Sequence, residues 1–157
     1  MTNYKSASPP IRPGLESARR EVVPDRPKAV IKILSDSDIV TARQKGRALG
    51  AELGFEAGDL AIIATAISEL ARNIVLYGSQ GEIALSQAKD GGRQGIAIVS
   101  RDEGPGIADV AQAMRDGYST SGGLGLGLPG VKRLMDEFGI VSAAGQGTTV
   151  TIKKWKR

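Results

Sequence analysis

Apolar and polar positions alternate over "KAVIKIL" (28–34), the pattern of a half-buried strand. "SDSD" (35–38) supplies helix N-cap residues, and a first helix is predicted to run to about Leu53. From about Gly58 to Tyr77 the apolar period changes. Leu60, Ile63, Ala64, Ile67, Leu70, Ala71, Ile74 and Val75 form the stripe of a second helix, which Gly78 is suited to cap. "EIALSQA" (82–88), the turn "KDGG" and "GIAIVSR" (95–101) read as a β-hairpin, followed by a tight loop at "DEGPGI". A short helix is expected around 108–116. Beyond a glycine-rich stretch, "LPGVKRLMDEF" (128–138) reads as a helix with Leu128, Val131, Leu134, Met135 and Phe138 inward. "GIVSAA", the turn "GQG" and "TTVTIKKW" close the chain as a second hairpin. This order predicts an α+β fold: a two-layer α/β sandwich with a mixed β-sheet and helices on one face.

Composition narrows the chemistry. Five of the seven prolines fall in residues 1–27, which read as a disordered or loosely docked extension, leaving 28–157 as one domain. No apolar run is read as reaching the roughly 18–20 residues of a membrane span, and no signal-peptide core is seen; a cytoplasmic protein is expected. The chain has no cysteine and no histidine. That excludes a disulfide framework, a thiolate or imidazole metal site, a Ser-His-Asp triad and a phosphohistidine within this chain. A general base must then be Asp, Glu, Lys or Tyr. The net charge is +4, but the basic excess sits at the two ends, in residues 1–30 and in "KKWKR". Residues 31–152 are net acidic, so nucleic-acid binding is disfavoured.

Three motifs carry candidate chemistry. In "SELARN" (68–73), Glu69 and Asn73 share a helix face. The carboxylate could take a proton from a hydroxyl, and the amide oxygen is a hard ligand suited to Mg²⁺; an exposed Glu–Asn contact is the plain alternative. In "DEGPGI" (102–107), Asp102 leaves a strand ahead of Gly104 and Gly106. It could accept from an exocyclic amine, though an ordinary turn has the same composition. "STSGGLGLGLPG" (119–130) offers free N–H groups ahead of a helix N-terminus, suited to phosphates, or simply a flexible loop. It lacks the Walker pattern and does not follow a strand as a dinucleotide fingerprint would.

Taken in order, E-x-x-x-N, D-x-G-x-G, G-x-G-x-G and a Gly-Thr-Thr strand resemble the Bergerat ATP-binding fold. This is the fold of histidine-kinase ATPase domains, gyrase B and MutL, and the likeness spans about residues 28–155. The resemblance implies that Asn73 holds Mg²⁺, that Asp102 meets the adenine amine with Gly104, Gly106 and Ile107 around it, and that Thr149 lies near the adenine. It implies a phosphate lid, matched by Gly123, Gly125 and Gly127, with Ser121, Gly122, Leu124, Leu126 and Leu128 also expected to bind ATP. "ATAISELARNI" and "DGYSTSGGLGLGLPGVKRLMDEF" narrow the likeness to the serine/threonine switch kinases of bacterial partner switching, the RsbT type of the stressosome.

That likeness implies ATP and Mg²⁺ as cofactors and Glu69 as the catalytic base. Arg72, one turn away, is assigned to phosphate or carboxylate charge, with a surface role as its alternative. The implied partners are STAS-domain protein substrates (stressosome scaffold proteins) and a downstream phosphatase, with no nucleic acid and no membrane. A homodimer is left open. An anti-sigma factor kinase or a sequestering binding module is the alternative function. A fragment of a sensor histidine kinase is disfavoured by the missing histidine.

Overall fold

A computed structural model of the protein describes residues 26–115 and 127–157. Its elements run β1 (Ala29–Ile33), α1 (Asp36–Glu52), α2 (Ala57–Tyr77), β2 (Gly81–Asp90), β3 (Arg93–Asp102), α3 (Val110–Ala113), α4 (Gly127–Leu134), β4 (Glu137–Ser142) and β5 (Thr148–Trp155). The five strands form one sheet in the order β1-β2-β3-β5-β4. One face packs against α1 and α2. Ile67, Leu70 and Ile74 of α2 meet Ile83, Leu85, Ile96, Ile98 and Ile152 of the sheet in a single core.

Local chemistry places the ends. Asp38 reaches back to accept from the backbone N–H of Leu34 (2.8 Å) and Ser35 (3.0 Å), satisfying the donors of the two residues that lead into α1. Those two bonds lower the Asp38 pKa below the ordinary aspartate value. Gly78 ends α2, its N–H donating to Ile74 O at 2.9 Å. Its φ is an ordinary −93°, so conformational freedom is not why glycine stands here. A Cβ at Gly78 would lie 2.6 Å from Asp102 Cβ, and close packing against that aspartate is the reason.

The expected mixed sheet is antiparallel at every described pairing. A helix pair, α1 and α2, returns the chain to the end of the sheet it left, so β2 runs against β1. β3 and β4 run the same way, but β5 lies between them, and parallel neighbours never form.

The helix expected over 128–138 stops at Leu134, and Glu137 and Phe138 belong to β4. Asp136 is the pivot: its Oδ2 accepts from Trp155 N at 2.7 Å and ties the chain to β5 at that point. The helix expected around 108–116 is reduced to Val110–Ala113, with Asp109 capping it by accepting from Gln112 N. Contrary to expectation, α2 has the length and mean hydropathy (21 residues, 1.5) of a membrane span. Its apolar stripe faces the core, and it carries Glu69 and Arg72. The extension expected over 1–27 lies, except for Arg26 and Pro27, outside the described residues.

Candidate active site

The second half of α2 brings three polar side chains to one end of the sandwich. Glu69, Arg72 and Asn73 stand at i, i+3 and i+4 and so project from one face of the helix. Glu69 is only 7% exposed, in an apolar helix-sheet interface where a lone carboxylate would be costly. Arg72 relieves this: its Nη1 donates to Glu69 Oε1 at 2.8 Å, while its own side chain stays half exposed. The arginine is therefore neither a free surface group nor solely a ligand contact. It holds the acid.

Asp102 closes β3 directly opposite Thr148, the first residue of β5. Its Oδ1 accepts from Gly104 N at 2.9 Å, which fixes the carboxylate at the strand end. Gly106 has φ +76°, and a Cβ there would lie 2.0 Å from Ala143 O, so the loop after β3 sits flush on the β4–β5 turn only because this residue is glycine. Ile107 N then donates to Ser142 Oγ at 2.7 Å, fastening the same two loops.

These groups surround a cavity of about 450 Å³. Glu69, Arg72, Asn73, Asp102, Gly106, Ile107, Gly127 and Leu128 all line it, as the sequence motifs anticipate. Two of the expected residues stand outside the lining. Thr149 does not face the cavity; Thr148 does. Side chains alternate along β5, with Val150 and Ile152 buried toward the helices, so Thr148 shares their face and Thr149 points the other way. Gly104 is also displaced, since it is buried against Tyr77 O and the Cα of Gly78 instead of facing the cavity. Ser121, Gly122, Gly123, Leu124, Gly125 and Leu126 lie outside the described residues. The sequence reading missed Tyr77, Ser100, Pro105, Asp109 and Gln112, which also line the cavity, beside apolar residues such as Leu70, Ile74 and Val150. Only proximity to the Asp102 loop and to the C-terminus of α2 could have signalled them.

Residues 34–154 match the family described as the histidine kinase-like ATPase domain. The chain is 55% identical over 130 residues to the serine/threonine-protein kinase RsbT of Bacillus subtilis (strain 168), a match covering 83% of this chain and 98% of that protein. This chain belongs to the histidine kinase-like ATPase family, among its RsbT-type members. A more distant relative in the family is the anti-sigma F factor of Halalkalibacterium halodurans, 34% identical over 111 residues, covering 66% of this chain and 75% of that one. In three dimensions the chain is similar to the RsbU and RsbW domains of a Mycobacterium tuberculosis protein, with a TM-score of 0.56 and 26% identity. That match covers 82% of this chain and 32% of the other. For a histidine kinase-like ATPase, the cavity bounded by Glu69, Asn73 and Asp102 is the candidate nucleotide site.

Proposed function

We propose that this chain is an ATP-dependent protein serine/threonine kinase. It phosphorylates a STAS-domain partner of a cytoplasmic bacterial stressosome pathway and, once released, activates a downstream phosphatase. The observation that carries this is the convergence of Glu69, Asn73 and Asp102 on one cavity. The likeness to a protein named as a serine/threonine kinase supports it.

The residues fit a magnesium nucleotide. Among the described residues, Glu69, Asp102 and Asp109 line the cavity against one guanidinium, that of Arg72, so a bare triphosphate would be repelled. Among the described residues no group of three or more carboxylates is placed to hold a metal with protein ligands alone. One amide oxygen, from Asn73, together with phosphate oxygens is the hard donor set Mg²⁺ prefers. When bound there, Mg²⁺ supplies charge neutralisation at the phosphates.

Asp102 orients the adenine through its exocyclic amine. Gly127 and Leu128 bring the start of α4 to the cavity, which suits the phosphate end. Glu69 accepts the proton of the partner's Ser or Thr hydroxyl as that oxygen bonds to the γ-phosphorus. The bond to the bridging oxygen breaks, and ADP leaves. Arg72 keeps the Glu69 carboxylate aimed from one side.

The test is to incubate the protein with Mg-ATP and a STAS-domain partner and weigh the partner. A gain of one phosphoryl group is expected; an unmodified partner contradicts the proposal. Relatives named anti-sigma F factor favour a second reading, sequestration of a sigma factor. A stable sigma-factor complex, with the STAS partner unmodified, would establish that instead.

A further inference from the structure

Ser142, at the end of β4, touches three polar atoms. Its Oγ lies 2.7 Å from Ile107 N, 3.1 Å from Gly147 O and 2.7 Å from Thr148 Oγ1. A hydroxyl has one proton to give and two lone pairs to receive with. The Ile107 N–H can only donate and the Gly147 carbonyl can only accept. All three contacts are hydrogen bonds in one arrangement alone: Ser142 donates to Gly147 and receives from both Ile107 and Thr148. If Ser142 instead gave its proton to Thr148, two oxygens 3.1 Å apart, those of Ser142 and Gly147, would face each other with no proton between them.

Thr148 lines the cavity, whereas Ser142 does not, and Thr148 stands across the ladder from Asp102. With its proton committed to Ser142, the Thr148 oxygen presents only a lone pair to a ligand. Asp102 is an acceptor as well, one of its oxygens already receiving the Gly104 N–H.

Building on the proposed use of ATP, we infer that Ser142 is a positioning residue that sets base selectivity by fixing Thr148 as an acceptor. Two acceptors side by side match an exocyclic amino group, which has two N–H bonds to give. A 6-oxo group in the same place would bring a third oxygen against them with no proton to share, a loss that a neighbouring hydroxyl could relieve only if its proton were free to turn. The selectivity therefore lies between 6-amino and 6-oxo purine nucleotides, and it acts through a residue that never touches the base.

The experiment measures the affinities of the full chain for Mg-ATP and Mg-ITP, which differ at the 6-position. Wild type is expected to prefer ATP. Ser142→Ala frees the Thr148 proton and is expected to lower the ATP:ITP preference about tenfold, the worth of one neutral hydrogen bond. Ser142→Thr keeps the hydroxyl and keeps the wild-type preference. In a Thr148→Val background, Ser142→Ala leaves the preference unmoved. Equal weakening of both nucleotides in Ser142→Ala would show that Ser142 merely anchors the Ile107 loop, and would overturn the inference. A further fall in preference on adding Ser142→Ala to Thr148→Val would overturn it too. Should Ser142→Ala fail to fold, Thr148→Ser must preserve the preference and Thr148→Val must lower it; the opposite pattern contradicts the inference. These outcomes require wild type to bind ATP. If wild type binds no nucleotide, the kinase proposal itself falls, and this inference with it.

Discussion

Arg72 Nη1 donates to Glu69 Oε1 at 2.8 Å, one helical turn away, and the acid it holds is almost wholly buried. A buried carboxylate held by a guanidinium and open to a cavity suits the proposed role of base. Glu69→Gln keeps the volume and loses that capacity. It should reduce phosphorylation of a STAS-domain partner by about 10²–10⁴-fold with ATP affinity largely retained. Partner phosphorylation and nucleotide titration, run together, check this. Parallel loss of both would assign Glu69 to binding.

Asn73 supplies the amide oxygen on the same face of α2. Asn73→Ala should abolish the gain in ATP affinity that Mg²⁺ produces in wild type. Titrations with and without Mg²⁺ measure it, and an undiminished magnesium effect would remove the metal assignment.

Gly78 lies against Asp102 so closely that an added Cβ would sit 2.6 Å from Asp102 Cβ and 3.0 Å from the backbone at Ile74. The backbone cannot yield cheaply, so Asp102 must move. Gly78→Ala should weaken ATP binding at least tenfold and cost about 1–3 kcal/mol of stability, the usual range for overpacking. Thermal unfolding with and without ATP separates the two effects.

The helices, the two hairpins and the three motifs were legible because each rests on local chemistry: apolar period, turn residues and glycine content. Strand direction was not, because it depends on how many helices intervene before the chain re-enters the sheet. The 128–138 segment misled because Phe138 and Ile140 fit a strand's alternation as well as Phe138 fits the helical stripe, and the decision falls to a contact between Asp136 and Trp155 far along the chain. The Gly-Thr-Thr motif does not tell Thr148 from Thr149, because a one-residue step along a strand reverses the face, and the facing side is fixed only by Val150 and Ile152 entering the core. Ser142 carried no motif at all; its role appears only when β4, β5 and the loop after β3 meet.

Asp38 offers a test of the fold by pH. Its pKa is held down chiefly by the Leu34 and Ser35 N–H groups, so its contribution to stability is present above the unfolded-state value and is lost as pH falls through the folded-state value. Asp38→Asn should lower the Tm at neutral pH. The difference from wild type should shrink once the pH drops below about 4, where the carboxyl begins to protonate in the unfolded chain. A difference constant down to strongly acid pH would contradict the capping role.

In the proposed function, α2 and the ends of β3 and β5 enclose one magnesium-nucleotide site. Calorimetric titration of Mg-ATP into wild type and Asp102→Ala tests it most directly. The expected result is saturable one-site binding by wild type, weakened at least about tenfold by loss of the strand-end carboxylate. No saturable binding by wild type, or equal affinity in the two proteins, would contradict it.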